Sequence, residues 1–85
     1  MYYVYIIYSS KLDKTYKGST DNLKERIDSH NNRKVKSTKL GIPWKLIYYE
    51  AFISKVDAKR EELFLKSGKG RERLQYLLQN TLKKR

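Results

Sequence analysis

The run Tyr2-Tyr3-Val4-Tyr5-Ile6-Ile7-Tyr8 places the tightest constraint on this chain. Every residue in it is aromatic or β-branched, so it is read as a strand. It lacks the apolar–polar alternation of a strand with one wet face, and so calls for cover on both faces. The 85 residues provide material for one domain, expected to span 1–85, with a modest core for its surface. At 39% hydrophobic residues the chain is too apolar to be disordered.

The remaining elements follow from pattern. Ser9 to Leu12 read as a polar turn, and Lys14-Thr15-Tyr16-Lys17 as a second, shorter strand stopped by Gly18. A helix is expected from an Asp21 cap to about His30, burying Leu23 and Ile27, four residues apart. Asn31 to Gly41 form a basic, polar loop carrying Arg33, Lys34, Lys36 and Lys39. After Pro43, Trp44 to Glu50 read as a third strand. A second helix starts after Ser54, with Asp57 three residues on as a capping partner, and is expected to run to about Lys66, with Gly68 as its stop. A last helix from about Arg71 carries Leu74, Leu77 and Leu78, and Lys83 to Arg85 read as a frayed basic tail. The order β-β-α-β-α-α, with its first two strands close enough for a hairpin, predicts an α+β fold of helices packed on a sheet.

Charge narrows the partners. Twenty Lys and Arg stand against nine Asp and Glu, a formal net charge of +11. A folded domain so basic attracts polyanions, of which nucleic acid is the commonest. An anionic membrane is disfavoured, because surface binding calls for an exposed amphipathic helix rich in large apolar residues. The longest apolar run, Tyr2 to Tyr8, is too short to span a bilayer. No signal peptide is evident at the N-terminus. The absence of cysteine removes disulfides, thiol nucleophiles and Cys-based zinc sites, and fits a reducing, cytoplasmic setting. One histidine cannot build a zinc site of the usual kind, and no phosphate loop of the NTPase type exists. Gly68-Lys69-Gly70-Arg71 can offer backbone amides to phosphate, but a helix stop and linker is the preferred reading. No small-molecule cofactor is expected.

Several residues have the chemistry to act on a phosphodiester. If Ser9 to Leu12 form a four-residue loop, Tyr8 pairs with Asp13 and Tyr5 falls opposite Tyr16 on one face. A slip of one residue would separate them. Arg26 and His30 are four apart on the first helix and so lie side by side. Taken alone they read as a solvated basic face, and the tyrosines as packing. Glu62 lies on the second helix, one turn before Lys66, in a chain where acids are scarce. A metal near a phosphate needs such an anionic ligand.

Together these residues resemble the GIY-YIG nuclease superfamily. Val4-Tyr5-Ile6 stands at its first signature triplet, and Tyr16-Lys17-Gly18 at its second, eleven residues on. Arg26, His30 and the helical Glu62 follow in order. Pro43 to Tyr48 and Ala58 to Gly68 resemble the small, stand-alone bacterial members related to the nuclease module of the excision-repair incision subunit. The resemblance covers roughly residues 2 to 78. Tyr3-Val4-Tyr5 replaces Gly-Ile-Tyr, and Lys17 takes the place of an apolar residue. Lys17 should point away from Tyr16. Either that face is open to solvent, or Lys17 reaches phosphate.

The resemblance implies a three-stranded antiparallel sheet flanked by helices, and hydrolysis of DNA with one divalent metal, Mg²⁺ or Mn²⁺. It implies Glu62 as the metal ligand, Arg26 as the phosphate contact, and Tyr5 or Tyr16 as general base. Free tyrosine, with a pKa of about 10, is a poor base at neutral pH. Arg26, Lys17 and the metal are expected to lower that value, and His30 to share or relay the proton. Lys17, Arg33, Lys34, Lys36 and Lys39 are the expected nucleic-acid contacts. With no second reading element, specificity should be low or structure-based, as for branched or damaged DNA in repair, with RNA an alternative polyanion. The competing reading is a nucleic-acid-binding module of the same fold that cuts little. A third is a basic interaction domain that needs a larger partner.

Overall fold

The computed structural model describes residues 1–83. Of the expected basic tail, Lys83 is exposed without regular structure, and Lys84 and Arg85 lie outside the described residues. The elements are β1 (Tyr2–Ser9), β2 (Lys14–Thr20), α1 (Leu23–Asn31), a 3₁₀ turn (Lys39–Gly41), β3 (Trp44–Phe52), α2 (Lys55–Leu65) and α3 (Gly68–Leu77). The sheet is antiparallel throughout, in the order β2-β1-β3. β1 is thus central, which explains its uninterrupted apolar run. Val4 and Ile6 face α2 and α3, packing with Ala58, Leu65, Leu74 and Leu78. Tyr5 and Ile7 face the other way, packing with Trp44 and with Leu23 and Ile27 of α1. Among the described residues no helix is long and apolar enough to cross a membrane.

The hairpin register differs from the expected one. Tyr8 pairs with Thr15 rather than Asp13, and Tyr5 with Gly18 rather than Tyr16, which instead opposes Ile7. Ser9 stays in β1 opposite Lys14, and the turn moves one residue along. Its hydroxyl is buried and accepts a hydrogen bond from the Leu12 amide (3.1 Å), tying the turn to the strand end. Asp13 supplies the left-handed conformation that closes the turn (φ 51°), one that Asp tolerates better than most residues. The shift is two residues, so strand alternation keeps Tyr5 and Tyr16 on one face. β2 also runs on through Gly18 to Thr20 instead of stopping, because Gly18 is paired in the ladder.

The helix starts show what local signals decide. α1 is capped by Asn22, not Asp21: the Asn22 side chain accepts from the Glu25 amide at 3.1 Å. Ser54 caps α2 as its sequence predicts, accepting from the Asp57 amide at 3.3 Å. Gly68, expected to stop α2, opens α3 instead. α2 ends at Lys66 as its sequence predicts, and Ser67 caps α3, accepting from the Gly70 amide at 3.2 Å. No glycine has a positive φ, so Gly68 is not the left-handed helix terminator that its position resembles.

The two glycines of α3 have opposite requirements. A Cβ on Gly68 would meet nothing within 4 Å, whereas one on Gly70 would overlap the Phe64 carbonyl oxygen and lie 2.6 Å from Leu65 Cα. The last turn of α2 thus sits directly against the first turn of α3. Gly68→Ala should raise stability by about 0.5–1 kcal/mol through reduced chain entropy. Gly70→Ala should cost at least about 1–3 kcal/mol, because the obstructing atoms are backbone. Urea unfolding of both variants tests this; a destabilising Gly68→Ala would return Gly68 to the role of helix stop.

Candidate active site

The site is built around one close approach. Tyr5 is 1% exposed, and its ring lies over Gly18 on the neighbouring strand. A Cβ at Gly18 would stand 2.5 Å from the Tyr5 hydroxyl oxygen and 2.7 Å from Cζ. Only a strand without a side chain there lets the phenol cross it. The hydroxyl thereby reaches the outer part of β2, where α1 supplies two more groups. Arg26 Nε donates to the Tyr5 oxygen at 3.3 Å. His30, fully buried one turn later, has its Nε2 2.8 Å from the same oxygen. Tyr16 closes the group, its ring edge-on to His30 with centroids 5.1 Å apart.

The far side of His30 is held by a residue that sequence reading missed. His30 Nδ1 lies 2.7 Å from Thr38 Oγ1, which in turn donates to the Val35 carbonyl at 3.4 Å. Thr38 is itself 1% exposed, and its carbonyl accepts from Trp44 Nε1 at 2.6 Å. The loop is anchored again where Asn31 brackets the Trp44 backbone, accepting from its amide at 2.7 Å and donating to its carbonyl at 3.0 Å. Donor counting then orders the network. Arginine can only donate, so the Tyr5 proton is free for His30 Nε2; His30 carries its own proton on Nδ1, toward Thr38.

Burial sets the protonation states. It pushes His30, with help from the Arg26 charge, down from the ordinary 6.5 to about 4, so the ring is neutral at pH 7. Burial also raises the Tyr5 phenol above its ordinary value and outweighs the opposing hydrogen bond and charge of Arg26. The expectation that cations would lower this phenol is therefore corrected: desolvation of the phenolate wins. Arg26 is raised, chiefly by its hydrogen bond to Tyr5, and stays charged.

Glu62 approaches over the same edge from the other face. Ser19, next to Gly18 and opposite in direction, donates to Glu62 Oε1 at 2.6 Å. The Glu62 side chain is only 12% exposed and forms salt bridges with Lys66 (2.8 Å) and Lys59 (3.5 Å). Burial alone would raise its carboxyl, but the hydrogen bonds from Lys66 and Ser19 and the two lysine charges outweigh it and hold the group below its usual range. Its charge is felt at Tyr5. As a donor set this is minimal: among the described residues no group of three acidic, histidine or cysteine side chains could hold a metal. One ionised carboxylate suits a hard cation that keeps most of its water and shares the rest with phosphate oxygens, as Mg²⁺ does. Lys66, half exposed, is the side chain that such an ion would displace.

The structure thus brings together Tyr5, Tyr16, Arg26 and His30, with Glu62 across the β2 edge. Lys17 is not among them. It projects from the opposite face to Tyr16, toward Arg71 of α3. Arg33, Lys34, Lys36 and Lys39 are exposed on the loop that carries Thr38. Ser19 was detectable only as the neighbour of a signature glycine. Thr38 had no signal at all, being one hydroxyl in a lysine-rich loop.

The three-stranded antiparallel sheet in the order β2-β1-β3, flanked by three helices, is a GIY-YIG nuclease-type fold. The family profile described as the GIY-YIG catalytic domain matches residues 1–75, and the chain belongs to this family. It is 37% identical over 84 residues to a UPF0213 protein of Clostridium perfringens, covering 98% of this chain and 89% of that one. It is 39% identical over 80 residues to a UPF0213 protein of Streptococcus agalactiae, covering 92% and 89%. The solution NMR structure of the UPF0213 protein BH0048 from Bacillus halodurans shares the fold, with a TM-score of 0.55 and 34% identity over 91% of this chain and 85% of that one.

The buried, neutral His30 makes stability pH-dependent with a definite sign. The unfolded chain takes a proton near pH 6.5 that the folded chain refuses until about pH 4. Stability from this residue is therefore complete above pH 6.5 and lost as pH falls toward 4, by up to about 3 kcal/mol. Urea unfolding at pH 7.5 and 4.5 should show a larger loss in the natural protein than in His30→Gln. Equal losses would mean that His30 titrates normally.

Proposed function

We infer that this protein is a divalent-metal-dependent endonuclease that hydrolyses DNA phosphodiester bonds. The observation that carries this reading is the convergence of the Tyr5–His30–Arg26 hydrogen bonds with Glu62 on either side of Gly18 and Ser19. Arg26 binds the scissile phosphate, its guanidinium matching the phosphate oxygens as negative charge builds. Tyr5 takes the proton of the attacking water at its oxygen while passing its own to His30 Nε2, so no free phenolate is needed. A bound phosphodiester adds negative charge beside His30 and favours that transfer. Thr38 keeps the ring oriented, and His30 acts through Tyr5 as the final acceptor of that proton. Tyr16 packs on the ring and completes the wall. Glu62 would hold Mg²⁺ or Mn²⁺, which supplies Lewis-acid stabilisation of the phosphate.

The basic surplus supplies affinity, with exposed Arg33, Lys34, Lys36 and Lys39 as backbone contacts, and the small surface favours low or structure-based specificity. Such an activity belongs with branched or damaged DNA in the cytoplasm. One observation favours the second reading, a binding module that cuts little: Lys66 and Lys59 already neutralise Glu62.

Nicking of supercoiled plasmid with Mg²⁺ or Mn²⁺ tests the proposal. The natural protein should nick. EDTA and Glu62→Ala should abolish nicking, and Tyr5→Phe should slow it by about a hundredfold or more. No nicking, with DNA binding that weakens steeply with salt, would establish the binding module instead.

A further inference from the structure

The sheet face opposite Tyr5 holds a cavity that the reaction described above does not use. Its volume is about 480 Å³, within the range of about 300–1,000 Å³ of ligand pockets. Ile6, Leu74 and Leu78 are among its apolar lining, and Lys14, Lys17 and Arg71 bring positive charge to it. Asp13, next to Lys14 in the chain, also lines it and accepts from the Tyr8 hydroxyl at 2.7 Å. The cavity therefore combines apolar side chains with three cations and one carboxylate.

Lys17 is the telling residue. It is half-buried on β2, no described residue forms a salt bridge with it, and Arg71 and Lys66 crowd it with like charge. Burial and those two neighbours push its pKa down, so an incoming anion relieves a strain that the fold itself imposes. Lys17 also sits close to the candidate active site. It shares a strand face with Ser19, whose hydroxyl holds Glu62, and Lys66 both pairs with Glu62 and acts on Lys17. Two residues along a strand span roughly 7 Å, and successive phosphates of stacked DNA are roughly 3.4 Å apart along the axis.

We propose that this cavity receives one unpaired nucleotide of the DNA strand being cut, its base against Ile6, Leu74 and Leu78 and its phosphate between Lys17 and Arg71. This rests on the nuclease reading and gives it a substrate class: duplex DNA with an extrahelical or single-stranded nucleotide within one or two positions of the scissile bond. A paired base must first leave the stack to enter, and an unpaired one need not, which is the origin of the preference. A protein chain is a poorer occupant, because three cations beside a small apolar lining call for an anion joined to a flat apolar group.

The test is equilibrium binding in EDTA, so that cutting plays no part. The full chain is titrated against two duplexes that differ only in one extrahelical adenosine nucleotide. The bulged duplex should bind about tenfold tighter. In the doubly substituted Lys17→Met, Arg71→Met protein both affinities fall, and their ratio should collapse toward one while the melting temperature holds. Equal affinity for the two duplexes in the natural protein, or an unchanged ratio in the double variant, overturns the pocket. Deoxyadenosine monophosphate that binds tightly without any preference between duplexes would assign the cavity to a free nucleotide and overturn the DNA form of the proposal. Plasmid nicking reports separately on the nuclease reading, so each can fail alone.

Discussion

A phenol on a central strand can reach a sheet edge only if the neighbouring strand lets it pass. Gly18 grants that passage to Tyr5, and the rest of the site follows from it. With its hydroxyl carried across β2, Tyr5 meets Arg26 and His30 from α1. The residue after the glycine must point to the opposite face, so Ser19 meets Glu62 from α2. One backbone position thereby joins two helices that lie on different faces of the sheet.

The electrostatics are as constrained as the geometry. A domain with formal charge +11 keeps its one histidine neutral by burying it, not by distance from cations, since Arg26 shares its hydrogen-bond partner. The same burial keeps Tyr5 protonated. Both groups are consequently held neutral, joined by the short hydrogen bond between them. Glu62 is treated in the opposite way, ionised by two lysines and a hydroxyl. The neutral Tyr5–His30 pair and the ionised Glu62 carboxylate sit on the two sides of one strand.

Much of this was legible in the sequence where local rules decide. The unbroken apolar run of β1, the Ser54 cap and the side-by-side placement of Arg26 and His30 follow from residue type and period alone. The pairing of β1 with β2 came out two residues away from its sequence-based register, yet Tyr5 and Tyr16 still share a face, because alternation has a period of two. Gly68 misled because a glycine after a helix and a glycine opening the next one look alike; only the Ser67 hydroxyl and the packing of Gly70 on Phe64 tell them apart. The direction of the Tyr5 shift was unreadable for a different reason. The sequence displays the cations near a phenol but not the depth at which it is buried. Thr38 depends on how a loop folds back, which no periodicity records.

The two-point hold of Asn31 on Trp44 has a consequence for the loop. Together with Thr38 it fixes the loop at its closure and at its hydrogen bond to His30. The intervening stretch from Arg33 to Ser37 carries mostly exposed side chains and bears little of the site's geometry. Lengthening such a stretch adds closure entropy only slowly. A longer or shorter stretch there would leave the Tyr5–His30–Thr38 hydrogen bonds in place, so the loop's reach is a dimension of this fold that is uncoupled from its buried centre.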